Sequence, residues 1–256
     1  MNHAQLANTL FDCLCSSTPI EPLKEADSSM DIDDAYKISS ELLKLRVKNG
    51  ERVIGKKIGV TSSAVQEMLG VFQPDYGFLT DAMLLPNGVA KIEDLIAPRA
   101  EAEIAFTLKK NLKGPGVTAD DVIEATDYVE SAIEIVDSRI KDWRITIQDT
   151  IADNASCGLF VLSSQKVSVD SVNLPEVQVD FYKNGELISQ GSGEAVMGNP
   201  AEAVAWLANT LGERGVSLNA GEVVLSGSMI PLAPAVKGDV FEMKISELGS
   251  CTATFE

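Results

Sequence analysis

Apolar positions in this chain recur at helical spacing near its start and alternate afterwards. Leu6, Leu10, Phe11 and Leu14 within residues 1–15, then Ala35, Ile38, Leu42 and Leu45 within 33–48, predict two helices. Between them, residues 16–29 are rich in Ser, Pro and acids and read as a surface loop, with Asp31 placed to cap the second helix and Gly50 to end it. Residues 1–50 are therefore expected to form a small N-terminal helical layer packed on a main domain of residues 51–256. That domain opens with a strand over 52–60, where Gly55 and Gly59 either weaken the strand or admit a ligand close to its backbone. Residues 70–77 predict a loop held by Pro74 and Gly77.

The stretch Arg99-Ala-Glu-Ala-Glu-Ile-Ala-Phe106 alternates, so as a strand it sends Glu101 and Glu103 to one face and Ala102, Ile104 and Phe106 to the other. Thr118 with Asp121 resembles a helix-capping pair. Residues 139–156 are polar, yet Trp143, Ile145 and Ile147 alternate within them, which suggests a partly buried connection. Residues 178–188 predict a hairpin turned by Asn184-Gly185, and Asn199-Pro200-Ala-Glu202 opens a helix that buries Val204, Leu207 and Leu211. Three short strands follow within 222–256. Helices followed by many strands indicate an α+β fold with a mainly antiparallel or mixed sheet, and neither regular βα alternation nor a glycine-rich phosphate loop is present.

Composition narrows the chemistry. A formal charge of −17 over 256 residues disfavours nucleic acid and anionic membranes as partners. The four cysteines, at 13, 15, 157 and 251, fall into no metal-binding spacing and read as reduced thiols of a cytoplasmic protein. No apolar run approaches the roughly 18 residues of a membrane span. The single histidine, His3, is expected in a mobile start of the chain. Catalysis by a Ser-His-Asp or Cys-His set, and His-ligated zinc, are thereby disfavoured, which leaves carboxylates, lysines and hydroxyls.

Alternating acids on a strand are by default its solvated face. Two such carboxylates also stand roughly 6.6 Å apart, two strand rises, and can share one cation. Glu134 sharpens the choice, because it lies between Ile133 and Ile135, where an unpaired charge is costly to bury. Three carboxylates together suit a hard cation such as Mg²⁺ or Mn²⁺. Lys56 and Lys57 fall on opposite faces of their strand, so one of them looks inward, and a lysine beside a cation suits proton transfer or anion anchoring. Asp75 is either a turn aspartate bonding its own backbone or a functional acid. Ser226-Gly-Ser228, and the run Asp153-Asn-Ala-Ser156, offer groups for either substrate contact or local turns. Cys157 and Cys251 read as core filler, since no base stands by.

Taken in order, Gly55-Lys-Lys-Ile-Gly-Val-Thr61, Gln73-Pro-Asp-Tyr-Gly77, Pro98-Arg-Ala-Glu-Ala-Glu-Ile-Ala105, Ile133-Glu-Ile-Val-Asp-Ser-Arg139, Asp149-Thr-Ile-Ala-Asp-Asn-Ala-Ser-Cys-Gly158 and Leu225-Ser-Gly-Ser228 resemble the signatures of the 2-oxopent-4-enoate (2-hydroxypenta-2,4-dienoate, vinylpyruvate) hydratases of the fumarylacetoacetase-like superfamily. The resemblance implies a mixed β-sandwich or rolled barrel around a carboxylate-held Mg²⁺ or Mn²⁺. The implied reaction is addition of water to 2-hydroxypenta-2,4-dienoate in meta-cleavage catabolism of aromatic compounds; the alternative is 4-oxalocrotonate decarboxylase of the same pathway. It further implies Glu101, Glu103 and Glu134 as metal ligands, Lys57 and Asp75 as catalytic groups, and Ser156 and Ser228 as substrate contacts. Partners implied are identical subunits in a ring, a pentamer or decamer, and the decarboxylase. Hydrolytic superfamily members use a histidine base, which this chain lacks apart from His3.

Overall fold

The computed structural model describes residues 2–62, 66–67 and 70–256. Two of its helices, His3–Ser16 and Ile32–Lys48, lie where the spacing of Leu and Ile places them. The second starts on a capping box, in which Asp31 and Asp34 each accept from the other's backbone N–H, and its acids Asp33 and Asp34 sit at the positive end of the helix dipole. His3 departs from the expectation of a mobile start. Asn2 caps the first helix, so His3 belongs to its first turn, and its Nε2 lies 2.9 Å from Asp34 Oδ1, tying the two helices together. The connection read as a surface loop contains a one-turn helix, Leu23–Ala26, because Leu23 finds a buried site.

Twelve strands follow among the described residues: β1 Val53–Gly59, β2 Asp75–Thr80, β3 Val89–Ala90, β4 Arg99–Leu108, β5 Thr126–Val136, β6 Cys157–Leu162, β7 Gln178–Lys183, β8 Glu186–Ser192, β9 Val223–Leu225, β10 Ala233–Pro234, β11 Val240–Ile245 and β12 Gly249–Phe255. They form two mixed sheets. The larger runs β2-β1-β9-β4-β5-β6, with β10 beside the start of β4, and curls into a half-barrel; the smaller runs β3-β12-β11-β7-β8. The sheets are layered as a sandwich. The β4–β5 face that carries Ala102, Ile104, Phe106, Ile133 and Ile135 joins the principal core, which includes Phe181, Phe241 and Phe255 of the smaller sheet and Ala7, Leu10, Ile38 and Leu42 of the helices. The opposite, concave face holds a second apolar cluster of Leu79, Met83, Ala105, Ala132, Cys157, Phe160 and Leu225. This smaller cluster floors the concavity.

Three local readings change. Residues 75–77 belong to β2 rather than to a loop: Pro74 only precedes the strand, and Gly77 is demanded by close approach, since a Cβ there would run into the carbonyl of Asn154. Within 139–156 the chain forms the helix Ile147–Ala152, capped by Thr146 and Asp149, where alternation had suggested only a connection. Finally, both Lys56 and Lys57 are buried, not one of them. The β1 strand is internal to the sheet and covered on both faces, so Lys56 pairs with Glu222 at 2.5 Å while Lys57 faces the concavity.

Candidate active site

Antiparallel pairing of β4 and β5 sets Glu101 opposite Glu134 and Glu103 opposite Ala132, so the three carboxylates share the concave face. One oxygen from each lies within 4.8 Å of the other two. All three groups are buried, Glu103 and Glu134 completely. Of their oxygens, Glu103 Oε2 accepts from the Gly227 N–H at 2.8 Å, whereas Glu103 Oε1 and both oxygens of Glu134 receive no aligned hydrogen bond from the described residues. Burial, and then the charge of Glu134, push Glu101 up to about 8 and Glu103 well above the carboxylate range. Crowded, desolvated and under-bonded carboxylates are unfavourable unless a cation sits among them. An all-oxygen set of this kind fits Mg²⁺ or Mn²⁺.

That crowding has a pH signature. Between about 4.5 and 8 the folded chain keeps a proton on Glu101 that the unfolded chain has released, so cation-free protein loses stability as pH rises through this window. A bound dication takes the proton's place and cancels the loss. Thermal melts with and without Mn²⁺ should therefore show a gain in Tm that grows from pH 5 to pH 8. A gain that is flat or shrinks over this range would contradict the crowding.

Lys57 enters the same space from β1, with Nζ 3.2 Å from Glu134 Oε1. Burial disfavours its charge, but Glu134, Glu101 and Asp75 outweigh this and hold the ammonium form above the ordinary lysine range. Asp75, at the start of β2, is buried; its Oδ2 accepts from the Thr150 hydroxyl at 3.2 Å and its Oδ1 has no described partner. Desolvation raises its pKa, with Lys57 opposing. Gly59 makes room for both groups: a Cβ there would strike Asp75 Oδ1 and stand 3.3 Å from Lys57 Nζ. The structure thus brings Glu101, Glu103, Glu134, Lys57 and Asp75 together.

Of the predicted serines, Ser156 is buried, with its hydroxyl 3.5 Å from that of Thr150, which in turn reaches Asp75. Ser228 lies against Glu101, and its hydroxyl donates to the Ile230 carbonyl at 2.7 Å. Of the uses left open for the Ser226–Ser228 turn, the local one is observed: Ser228 closes a turn at Ile230, and Gly227 and Ser228 also contact the site's own glutamates. Cys157 is core filler as expected: it is fully buried in the smaller apolar cluster, and burial together with the nearby Glu134 carboxylate keeps its thiol protonated.

Several supporting contacts escaped the sequence reading. Asn154, Ala155 and Ser156 all have φ near +50°, a run of left-handed residues that turns the chain beneath the site. Asn154 holds this turn to β2 by bonding both the N–H and the carbonyl of Phe78, at 2.8 and 3.0 Å. Arg139 holds it to β5, with contacts to Asp153 Oδ1 at 2.5 Å, to the Asp153 carbonyl at 2.6 Å and to the Cys157 carbonyl at 3.1 Å. Neither partnership is visible in the sequence, because nothing marks two residues fourteen apart as an ion pair. Asp153→Ala strands a buried guanidinium, so a loss of about 3–5 kcal/mol is expected in urea unfolding. A cost below 1 kcal/mol would show the clamp to be dispensable.

The chain is similar to several named proteins. It is 55% identical over 249 residues to a 2-hydroxyhexa-2,4-dienoate hydratase of Comamonas testosteroni, covering 96% of this chain and 94% of the relative. It is 54% identical over 215 residues to a 2-hydroxypent-2,4-dienoate hydratase of Pseudomonas putida, covering 83% of this chain and 97% of the relative. Among solved structures, a 4-oxalocrotonate decarboxylase from Pseudomonas putida G7, complexed with magnesium and adipate, superposes with a TM-score of 0.96 at 35% identity, over 99% of this chain and 97% of that one. Residues 61–256 match the family model for the C-terminal region of fumarylacetoacetate (FAA) hydrolase, and with that match and these relatives the chain belongs to the fumarylacetoacetate hydrolase family.

Proposed function

We propose that this protein is a metal-dependent hydro-lyase of the meta-cleavage breakdown of aromatic compounds, adding water to 2-hydroxypenta-2,4-dienoate to give 4-hydroxy-2-oxopentanoate. The observation that carries the reading is the convergence of Lys57 and Asp75 on the Glu101–Glu103–Glu134 cluster. Relatives named as hydratases at 54 and 55% identity agree with it.

Glu101, Glu103 and Glu134 would hold Mg²⁺ or Mn²⁺, which supplies Lewis-acid stabilisation for negative charge on the substrate's 2-oxygen. The chain's own groups handle protons and water. The dienol first gains a proton at carbon 5 and loses one from its 2-hydroxyl, giving the 2-oxo-3-enoate; water then adds at carbon 4 as carbon 3 is protonated. Negative charge develops on the 2-oxygen in both steps. Lys57 stays an ammonium here and is placed to donate to that oxygen or to transfer its proton. Asp75, with no described partner at Oδ1 and its pKa raised, is suited to exchange a proton with carbon or water while Thr150 fixes its other oxygen. Ser156 and Ser228 would orient the substrate. The apolar floor of Leu79, Phe160 and Leu225 keeps bulk water from the lower side.

The decarboxylase reading is favoured only by the fold match to the Pseudomonas putida G7 enzyme. Giving purified protein 2-hydroxypenta-2,4-dienoate and, separately, 4-oxalocrotonate separates the two. Hydrated product from the first without CO₂ from the second supports the hydratase, and CO₂ release alone reverses the assignment.

The same reading places the enzyme in the cytoplasm as a homo-oligomeric ring, a pentamer or decamer, able to associate with the decarboxylase. Four free cysteines suit a reducing compartment. Half-exposed Leu187 and Ile188 on edge strand β8 suit a subunit contact. No described helix is long and apolar enough to cross a membrane.

A further inference from the structure

Arg99 opens β4 two residues before Glu101, so its side chain leaves the strand on the face that carries Glu101 and Glu103. It pairs with Val136, two residues past Glu134, which puts it one pleat beyond the carboxylates at the same end of the β4–β5 ladder. Arg99 is half-buried, and its guanidinium lies 4.3 Å from the ring centroid of Trp143. That ring is fixed. The indole N–H donates to the Ala97 carbonyl at 2.9 Å, and the Asp137 carboxylate accepts from the N–H groups of Ile96 and Ala97 at 3.0 and 2.7 Å. Asp142 and Trp143 both have positive φ, 58° and 53°, so the backbone is held in an uncommon conformation where it presents the ring.

Among the described residues, the guanidinium takes part in no hydrogen bond and no ion pair. The fully buried cations behave differently: Arg46 meets Glu51, Lys56 meets Glu222, Lys57 meets Glu134 and Arg139 meets Asp153. Arg99 is a planar donor fork, stacked on an aromatic platform and left without an acceptor. The neighbouring site has a matching need. Three carboxylates, Glu101, Glu103 and Glu134, already match the charge of Lys57 plus a dication, so an anionic substrate brings an excess of negative charge. A second fixed cation facing the substrate's carboxylate offsets it.

We propose that Arg99 binds the carboxylate of the 2-oxo acid through its guanidinium fork, and that Trp143 is the positioning residue that holds the fork in place. This rests on the reading of the site as one for a 2-oxo acid, and the test keeps the two apart. Arg99→Met and Arg99→Lys are compared with the parent protein for Mn²⁺ affinity, for oxalate affinity at saturating Mn²⁺, for turnover of the dienoate and for particle mass by light scattering. Arg99→Met should leave Mn²⁺ affinity and melting temperature near parental and weaken oxalate about 10–100-fold, with kcat/KM falling mainly through KM. Arg99→Lys should recover only part of the loss, since an ammonium lacks the fork, and Trp143→Leu should weaken oxalate less than Arg99→Met does.

Unchanged oxalate affinity in Arg99→Met overturns the anchor, as does a parent protein that binds no oxalate with Mn²⁺ present. A change in assembly alone would assign Arg99 to a subunit contact instead, and also overturns it. If the parent fails to hydrate the dienoate while Arg99→Met still loses oxalate, the hydratase reading falls and the anchor stands.

Discussion

Glu134→Gln is expected to cost this protein its divalent cation and its turnover while leaving the fold intact. The substitution is nearly isosteric, and the backbone of residue 134 keeps its place between β4 and β6. What changes is charge and donor quality at a group with both oxygens buried and free of aligned hydrogen bonds from the described residues. Loss of a residue that merely orients a metal ligand costs about 10–100-fold in affinity, so loss of a ligand should reach at least the upper end of that range. Chelated protein behaves differently. Removing one of three mutually repelling carboxylates relieves Glu101 and Glu103, whose pKa values Glu134 raises, so the cation-free variant should melt no lower than the cation-free parent. Mn²⁺ titration together with melts of chelated samples reads both halves. Parental Mn²⁺ affinity in the variant would remove Glu134 from the metal site.

The second large effect is expected at Lys57. In Lys57→Met the buried side chain keeps much of its volume but loses the ammonium group that sits 3.2 Å from Glu134. A positioned proton donor contributes about 10²–10⁴-fold, and kcat at saturating Mg²⁺ should fall within that range. Metal affinity should hold or rise, because a competing positive charge has left the cluster. This separates Lys57 from the three glutamates, whose loss removes metal and turnover together. A variant with near-parental kcat would show that another group moves the proton.

How much of this was legible beforehand depended on the element. Alternation in β4 placed Glu101 and Glu103 on one face correctly, because a long strand with two different faces imposes a period of two on its sequence. That Glu134 lies opposite Glu101 rests on pairing register, which no single strand records. Asp75 was weighed as a turn residue because Pro74 and Gly77 flank it, yet the glycine answers the backbone of Asn154 and the proline merely precedes a strand. Helix Ile147–Ala152 was passed over for the alternation of Trp143, Ile145 and Ile147, although Thr146 and Asp149 carry the spacing of a capping pair. Lys56 could not be told from Lys57 in its exposure, since its partner Glu222 lies 166 residues away. Arg99 stood in a recognised motif, but only the stack on Trp143 shows that its guanidinium is held in place without an acceptor.

Water addition to the dienoate at a carboxylate-held cation leaves a readable isotope pattern. Its most direct test is product analysis by nuclear magnetic resonance, with parent protein, Mg²⁺ and 2-hydroxypenta-2,4-dienoate in deuterium oxide. The expected product is 4-hydroxy-2-oxopentanoate with a new hydroxyl at carbon 4 and solvent deuterium at carbons 3 and 5, all abolished by chelation. Substrate that stays a dienol, or that only ketonises without gaining the hydroxyl, would contradict it.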